Sequence, residues 1–209
     1  MAKIKNGHFG SYQGKIGAVT GVKRRGKFYI RQSITQNLSN TPSQQKVRRQ
    51  FAHVSTLMGA FANVLSIGFR HASQTGATAY NAGFGFNYDQ ADKLTGELDP
   101  SKVVVSRGSL VNIASPSVAC SGAHTLKATW TDNSDERIGT QADDLVYMVI
   151  YDKVGNLTTL GVAKRADANL TLPLPVDWTG RSVYVYFFTT TISGDKNSDS
   201  LYANTISVE

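Results

Sequence analysis

The chain has 209 residues, 41% of them hydrophobic, with one cysteine and a formal charge of +7. That length and apolar share allow one large or two small folded domains and argue against wholesale disorder. No apolar run approaches the ~20 residues of a membrane span, and the single Cys120 excludes an intrachain disulfide or a cysteine-based zinc cluster.

The charge is unevenly placed. Residues 1–88 hold twelve Lys or Arg and no Asp or Glu, while all fifteen acids lie from Asp89 onward, so the two parts carry +12 and 10 − 15 = −5. A segment so cationic faces something anionic or is neutralised by another chain. The opening MAKIKNGHFG has basic residues but no apolar stretch behind them. The expectation is a product without a signal peptide, cytoplasmic or released by lysis in a virion or similar particle.

Taken in chain order, residues 1–34 are punctuated by Gly7, Gly10, Gly14, Gly17, Gly21 and Gly26, a density that marks turns or close backbone approach. Residues 15–22 and 27–33 read as strands joined by the basic tip Lys23-Arg24-Arg25-Gly26, and Phe28/Ile30 alternate with Tyr29/Arg31. A hairpin of this size cannot bury its own apolar face and must pack on something else. Residues 34–40 read as a polar linker. Next, Thr41, Pro42 and Gln44 supply an N-cap, a first helical residue and a capping box. Val47, Phe51, Val54, Met58, Phe61 and Leu65 then recur at alternating spacings of four and three, one face of a helix running to about residue 67. That seam packs within the chain or against a partner's helix. Gly59 in its middle points to a close crossing, and Lys46, Arg48, Arg49 and His53 fall on its flanks or far side.

A second helix is expected over 77–93, with Ala79, Tyr80, Ala82, Phe84 and Tyr88 as its apolar positions and Ala82, Gly83 and Gly85 allowing close approach. Together the two predict a helical hairpin. From residue 101 the pattern changes to strands, read at 102–107, 117–120, 124–131, 145–152, 157–163, 169–174, 182–191 and 201–208. Short strands with turn residues between them predict an all-β sandwich, each sheet having one core face and one polar face. The fold class is thus α+β: a basic hairpin and two-helix module over 1–100, then a sandwich over 101–209. Cys120 reads as a sandwich core residue.

The motifs that carry chemistry are incomplete. Gly21 to Lys27 matches seven positions of a P-loop, but Phe28 stands where the magnesium-binding Ser or Thr belongs, and a strand follows instead of a helix. Asp195, Asn197 and Asp199 imitate an EF-hand start, but Ser200 replaces its glycine and Ile206 its bidentate Glu. The four histidines are scattered, and no G-x-S-x-G is present. No enzyme, cofactor, metal or small-molecule substrate is expected. Lys15, Lys23, Arg24, Arg25, Lys27 and Arg31 on the hairpin, with Lys46, Arg48 and Arg49 at the helix start, form the candidate contact set. They fit the phosphates of DNA or RNA, an acidic surface of a neighbouring subunit, or plain solvent.

Two resemblances accompany this reading. Leu126-Lys-Ala-Thr-Trp130, Val146-Tyr-Met-Val-Ile-Tyr151 and Val183-Tyr-Val-Tyr-Phe-Phe188 resemble strands of a fibronectin type III or related immunoglobulin-like domain, over about the last hundred residues. The start MAKIKNGHFGSYQGKIGAVTG, then GKFYIR, the helix opening with Thr41, Pro42, Gln45 and Arg49, and the KVVVSRG run (102–108) resemble an uncharacterised domain family typical of Bacteroidota and their mobile elements. That second likeness implies the same hairpin, helix and sandwich order and brings no activity. The resulting expectation is a non-enzymatic structural protein of a phage or phage-like assembly, self-associating or docking on other subunits. A cytoplasmic nucleic-acid-binding protein of low sequence specificity is the alternative.

Overall fold

A computed structural model describes residues 2–3, 13–33, 39–71 and 76–209. The turns expected at Gly7 and Gly10 and the linker residues 34–38 lie outside these. The chain divides into two compact units, Met1–Thr41 and Pro42–Glu209.

In the first unit, β1 (Ala2–Lys3), β2 (Gly14–Ile16), β3 (Val19–Arg24) and β4 (Lys27–Gln32) form an antiparallel sheet ordered β1-β4-β3-β2. The expected hairpin is present. Arg24 pairs with Lys27, and Arg25 and Gly26 between them have φ of 50° and 74°, the pair of left-handed residues that a type I′ hairpin turn requires. The single strand expected over 15–22 is instead two strands. Gly17, with φ of 56°, turns the chain between Ile16 and Val19.

In the second unit, α1 (Pro42–Ala60) starts at the proline the sequence marks, but the helix does not run straight to residue 67. It breaks at Phe61, and α2 (Ala62–Gly68) leaves at 78°. The Phe61 ring is fully buried, 5.0 Å from the Tyr151 ring and edge-on to Tyr186 at 5.8 Å. At the end of α1, where helical carbonyls lose their partners, the Ala60 carbonyl accepts from the Thr158 hydroxyl at 2.7 Å. α3 (Ala79–Gln90) begins at an N-cap: the Thr78 side chain accepts from the Asn81 N–H. It packs on both preceding helices.

Seven of the eight strands expected after residue 101 are present: β5 (Ala114–Gly122), β6 (Thr125–Thr131), β7 (Leu145–Asp152), β8 (Leu157–Lys164), β9 (Asn169–Pro173), β10 (Ser182–Thr190) and β11 (Leu201–Ser207). Sheets β5-β6-β9 and β11-β10-β7-β8, antiparallel throughout, make an immunoglobulin-like, fibronectin III-like sandwich. The fold class is α+β. The segment 102–107 is not a strand. Val103 and Val105 are buried as its alternation predicts, but its backbone bonds go elsewhere. The Asn87 side-chain amide donates to the Val104 carbonyl and its oxygen accepts from the Val104 N–H, both at 2.8 Å. The Val105 N–H donates to the Ser200 hydroxyl.

The larger difference lies in the cores. Alternate residues of β7 and β10 enter two of them. Val146, Met148 and Ile150 with Val183, Val185 and Phe187 face Leu126, Ala128, Trp130 and Trp178 inside the sandwich. Val149, Tyr151, Tyr186 and Phe188 face Val54, Met58, Phe61, Val64, Leu65 and Phe69 of the helical layer. Tyr147 and Phe188, cross-strand partners, stack at 4.8 Å on that outer face. The four-stranded sheet therefore has no polar face at its centre. The helices belong with the sandwich, and the boundary expected at residue 100 falls at 41 instead, because the outer face of β7 and β10 is apolar. Cys120 is half-buried at the edge of the inner core, its thiol donating to the Ser207 carbonyl.

Candidate functional site

The first unit carries most of the candidate contact set, and its register decides what each side chain can do. Directly paired residues of an antiparallel sheet project from one face, and neighbours along a strand from opposite faces. Lys15 pairs with Thr20 and Thr20 with Arg31, Val22 pairs with Tyr29, and Arg24 with Lys27. Lys15, Arg24, Lys27 and Arg31 thus share one face, around Tyr29. The pairs Ile16 with Val19, Gly21 with Ile30, and Lys23 with Phe28 define the other face. Lys23 lies there, its ammonium over the Phe28 ring at 5.4 Å from the centroid, a contact worth about 0.5–1 kcal/mol at an exposed site. Arg25 sits in the turn. The cluster that looks continuous in sequence is thus divided between two faces and a turn.

Neither face is covered as a core would be. In β2, β3 and β4 the only buried residue is Gly21; Phe28, Tyr29 and Ile30 are half-buried and Ile16 is 60% exposed.

The second cluster belongs to the other unit. Lys46, Arg48 and Arg49 are exposed on α1. Lys46 is partly engaged already: the Asp92 carboxyl is held below its ordinary range, first by the N–H groups of Thr95 and Leu94 and further by the Lys46 charge. The helical seam also divides. Val54, Met58, Phe61 and Leu65 are buried on the sheet, whereas Val47 and Phe51 are 55% and 54% exposed. Phe51 keeps one ring partner, Phe84 of α3, at 4.9 Å. The close crossing expected at Gly59 is absent, for a Cβ there would meet nothing within 4 Å. It occurs instead at Gly83, where a Cβ would lie 2.6 Å from Leu65 Cδ2.

A cleft of about 410 Å³ opens beside α1, with His53, Glu97, Tyr151 and Lys153 on its walls. Burial, with the Asp152 charge behind it, pushes the Tyr151 phenol up to about 12, so it keeps its proton at neutral pH. Its hydroxyl donates to Asn156 Oδ1 at 3.0 Å, and the Asn156 amide donates to the Thr56 carbonyl at 3.1 Å. These groups hold α1 to the sheet. The P-loop-like stretch is the β3–β4 hairpin. The EF-hand-like loop is structural: the Asn197 amide donates to the carbonyls of Ile67 and Gly68, and Asp199 pairs with Arg107 at 3.1 Å. Among the described residues, no group of three His, Cys, Asp or Glu is placed to hold a metal ion, and no single helix is long and apolar enough to cross a membrane.

Residues 11–204 match the model of a family of unknown function, DUF6266. The chain belongs to that family. As a DUF6266 member it carries β2 to β4, the helices and nearly all of the sandwich inside the matched span. Among solved structures it is similar to the fn3 domain of the human collagen alpha-1(XX) chain, at 14% identity and a TM-score of 0.36, covering 47% of this chain and 84% of that one. No curated protein matches it.

The sequence reading missed the separation of the cations into faces. Its signal was available: Lys27, Tyr29 and Arg31 recur at a spacing of two, and a Gly after Arg25 in a two-residue turn fixes which strand residues face each other.

Proposed function

We propose that this DUF6266 protein is a non-enzymatic assembly component of a phage virion or phage-like particle, from the mobile elements of Bacteroidota. It reaches the exterior by lysis and docks through its N-terminal sheet while presenting the sandwich. The observation that carries the reading is the N-terminal sheet itself. Its strands β2, β3 and β4 bury only a glycine, and a sheet without a packed layer is marginal in water. The second unit, by contrast, has two filled cores. A sheet that completes its burial on a neighbour accounts for both. The apolar face, with Ile16, Val19, Phe28 and Ile30, is the natural protein contact.

Native mass tests this. Sedimentation of the full chain at high concentration and low salt is expected to give species well above the 22.6 kDa of one chain. Ile16→Ser with Ile30→Ser, on the apolar face, is expected to return it to monomer. A sharp wild-type monomer under those conditions sinks the proposal. The nucleic-acid alternative is favoured by one specific observation, the gathering of four cations on the opposite face.

A further inference from the structure

The counter-charge for the N-terminal sheet is not in its own unit. Residues 1–41 hold eight Lys or Arg and no acid, whereas residues 42–209 hold fourteen against fifteen acids, 14 − 15 = −1. Three of those acids, Asp144, Asp152 and Asp199, already pair with Arg165, Arg181 and Arg107. A second copy therefore offers a unit close to neutral overall against the eight cations of the sheet's own unit. The sheet face itself is built in a way that calls for an external anion. Arg24 stands directly opposite Lys27, a like-charge pair that destabilises a sheet and becomes favourable once a negative group bridges it. Lys15 and Arg31 flank Thr20 from the two neighbouring strands, roughly 10 Å apart at ~4.8 Å per strand. Along β4, Lys27, Tyr29 and Arg31 point the same way at steps of ~6.8 Å. The type I′ turn at Arg25-Gly26 locks this register, since a slip of one residue would send half the set to the other face.

We infer that the face formed by Lys15, Arg24, Lys27 and Arg31 around Tyr29 is a docking surface for the phosphate backbone of nucleic acid. The inference rests on the reading above only in taking the N-terminal unit as the contact module. A repeating polyanion meets a row of cations spread over three strands, whereas a single acidic side chain would satisfy one of them. No helix enters a groove, so the contacts position without reading bases. The Tyr29 ring at the centre gives an exposed base or sugar a surface to lie against.

The test is anisotropy of a labelled mixed-sequence 30-bp DNA duplex with the full chain, over a series of KCl concentrations. Four phosphate contacts predict a slope of log K against log[KCl] of about −3.6. Arg24→Gln with Lys27→Gln is expected to reduce the slope by about 2, and Lys15→Gln with Arg31→Gln by the same amount, so a folding defect in one pair does not decide the matter. Lys23→Gln is expected to leave it unchanged, although Lys23 adjoins Arg24 in sequence. Equal loss from Lys23→Gln, no binding at 50 mM KCl, or equally tight binding of poly-glutamate at matched charge would each overturn the inference, the last in favour of an acidic protein partner. Native mass is read on the same samples. A monomer that binds DNA with the expected slope supports the docking face and removes only the assembly reading; an assembled chain that ignores DNA does the reverse.

Discussion

Replacing Asn87 by Ala asks whether the helices and the sandwich are one cooperative body. Asn87 is fully buried, and its amide donates to the carbonyls of Gly83 and Val104 while its oxygen accepts from the Val104 N–H, all at 2.8 Å. Alanine orphans both backbone groups of Val104, and a buried unsatisfied group costs about 1–3 kcal/mol. Val104 is half-buried, so partial access of water brings the sum to about 3 kcal/mol, roughly 6–12 °C in Tm for a unit of this size. The readout is urea unfolding followed by fluorescence of Trp130 and Trp178, which lie in the inner core on the far side of β7 and β10 from α3. Because the two cores share those strands, the tryptophan midpoint is expected to fall with the helical far-UV signal. Asn87→Asp sharpens the test. A carboxylate there keeps the bond from the Val104 N–H but sets an oxygen against two carbonyls, which raises its folded-state pKa above the unfolded value of ~3.9. The folded state then holds a proton that the unfolded chain releases, so the variant should gain stability as pH falls. A tryptophan midpoint unmoved by Asn87→Ala, with helix lost at lower urea, would refute the shared-core argument and place the boundary near residue 100.

Three further outcomes follow from local geometry. Gly59→Ala, in an open helical position, is expected to stabilise by about 0.5–1 kcal/mol, whereas Gly83→Ala, whose methyl would overlap Leu65, is expected to destabilise by about 1–3 kcal/mol; equal effects in urea titrations would contradict the packing. Asp144→Ala strips the partner from Arg165, with both side chains at 1% exposure or less, and is expected to cost about 3–5 kcal/mol with little dependence on salt; a loss that fades in 1 M NaCl would mean the pair is solvated. The Asp99 carboxyl is held below the ordinary value of 3.8, chiefly by the Ser101 N–H, and Asp92 likewise by Thr95. Depressed folded values give stability that is complete above 3.8 and lost as pH falls through the lower folded value, so Asp92→Asn with Asp99→Asn should flatten the acid limb of an unfolding profile.

Six of the strands after residue 101 could be read to within one residue at each end because each run is short, apolar and bounded by turn residues, and 145–152 matches β7 at both ends; β5, expected over 117–120, extends to Ala114–Gly122. The segment 102–107 failed for a physical reason. Its alternation is real and its burial is real, but a ladder is defined by where the N–H and C=O groups go, and here a side-chain amide from a helix takes the place of a neighbouring strand. No pattern in 102–107 announces Asn87. The helix break at Phe61 was hidden likewise, since Val47 to Leu65 keep a helical spacing across it, and the ring contacts of Phe61 with the distant Tyr151 and Tyr186 leave no local pattern. The basic residues were found, but not which of them act together.

The two main corrections have one origin. In a strand, neighbouring residues live in different environments, so a run read as one population hides two. Val146 to Tyr151 reads as a strand with one core face and one polar face, yet Tyr147, Val149 and Tyr151 form a second apolar surface, and the aromatic rings there pack the helices onto the sandwich. Lys23 to Lys27 reads as one cationic tip, yet the same period of two sends Lys23 to the Phe28 side and leaves Arg24 and Lys27 with Lys15 and Arg31. Strands buried on both faces become nearly continuous in apolar residues. β4 instead sets Lys27, Tyr29 and Arg31 on one face against Phe28 and Ile30 on the other, and β3 sends its adjacent Lys23 and Arg24 to opposite faces. Counting charge by face rather than by run is what turns a basic stretch into a surface with a stated partner.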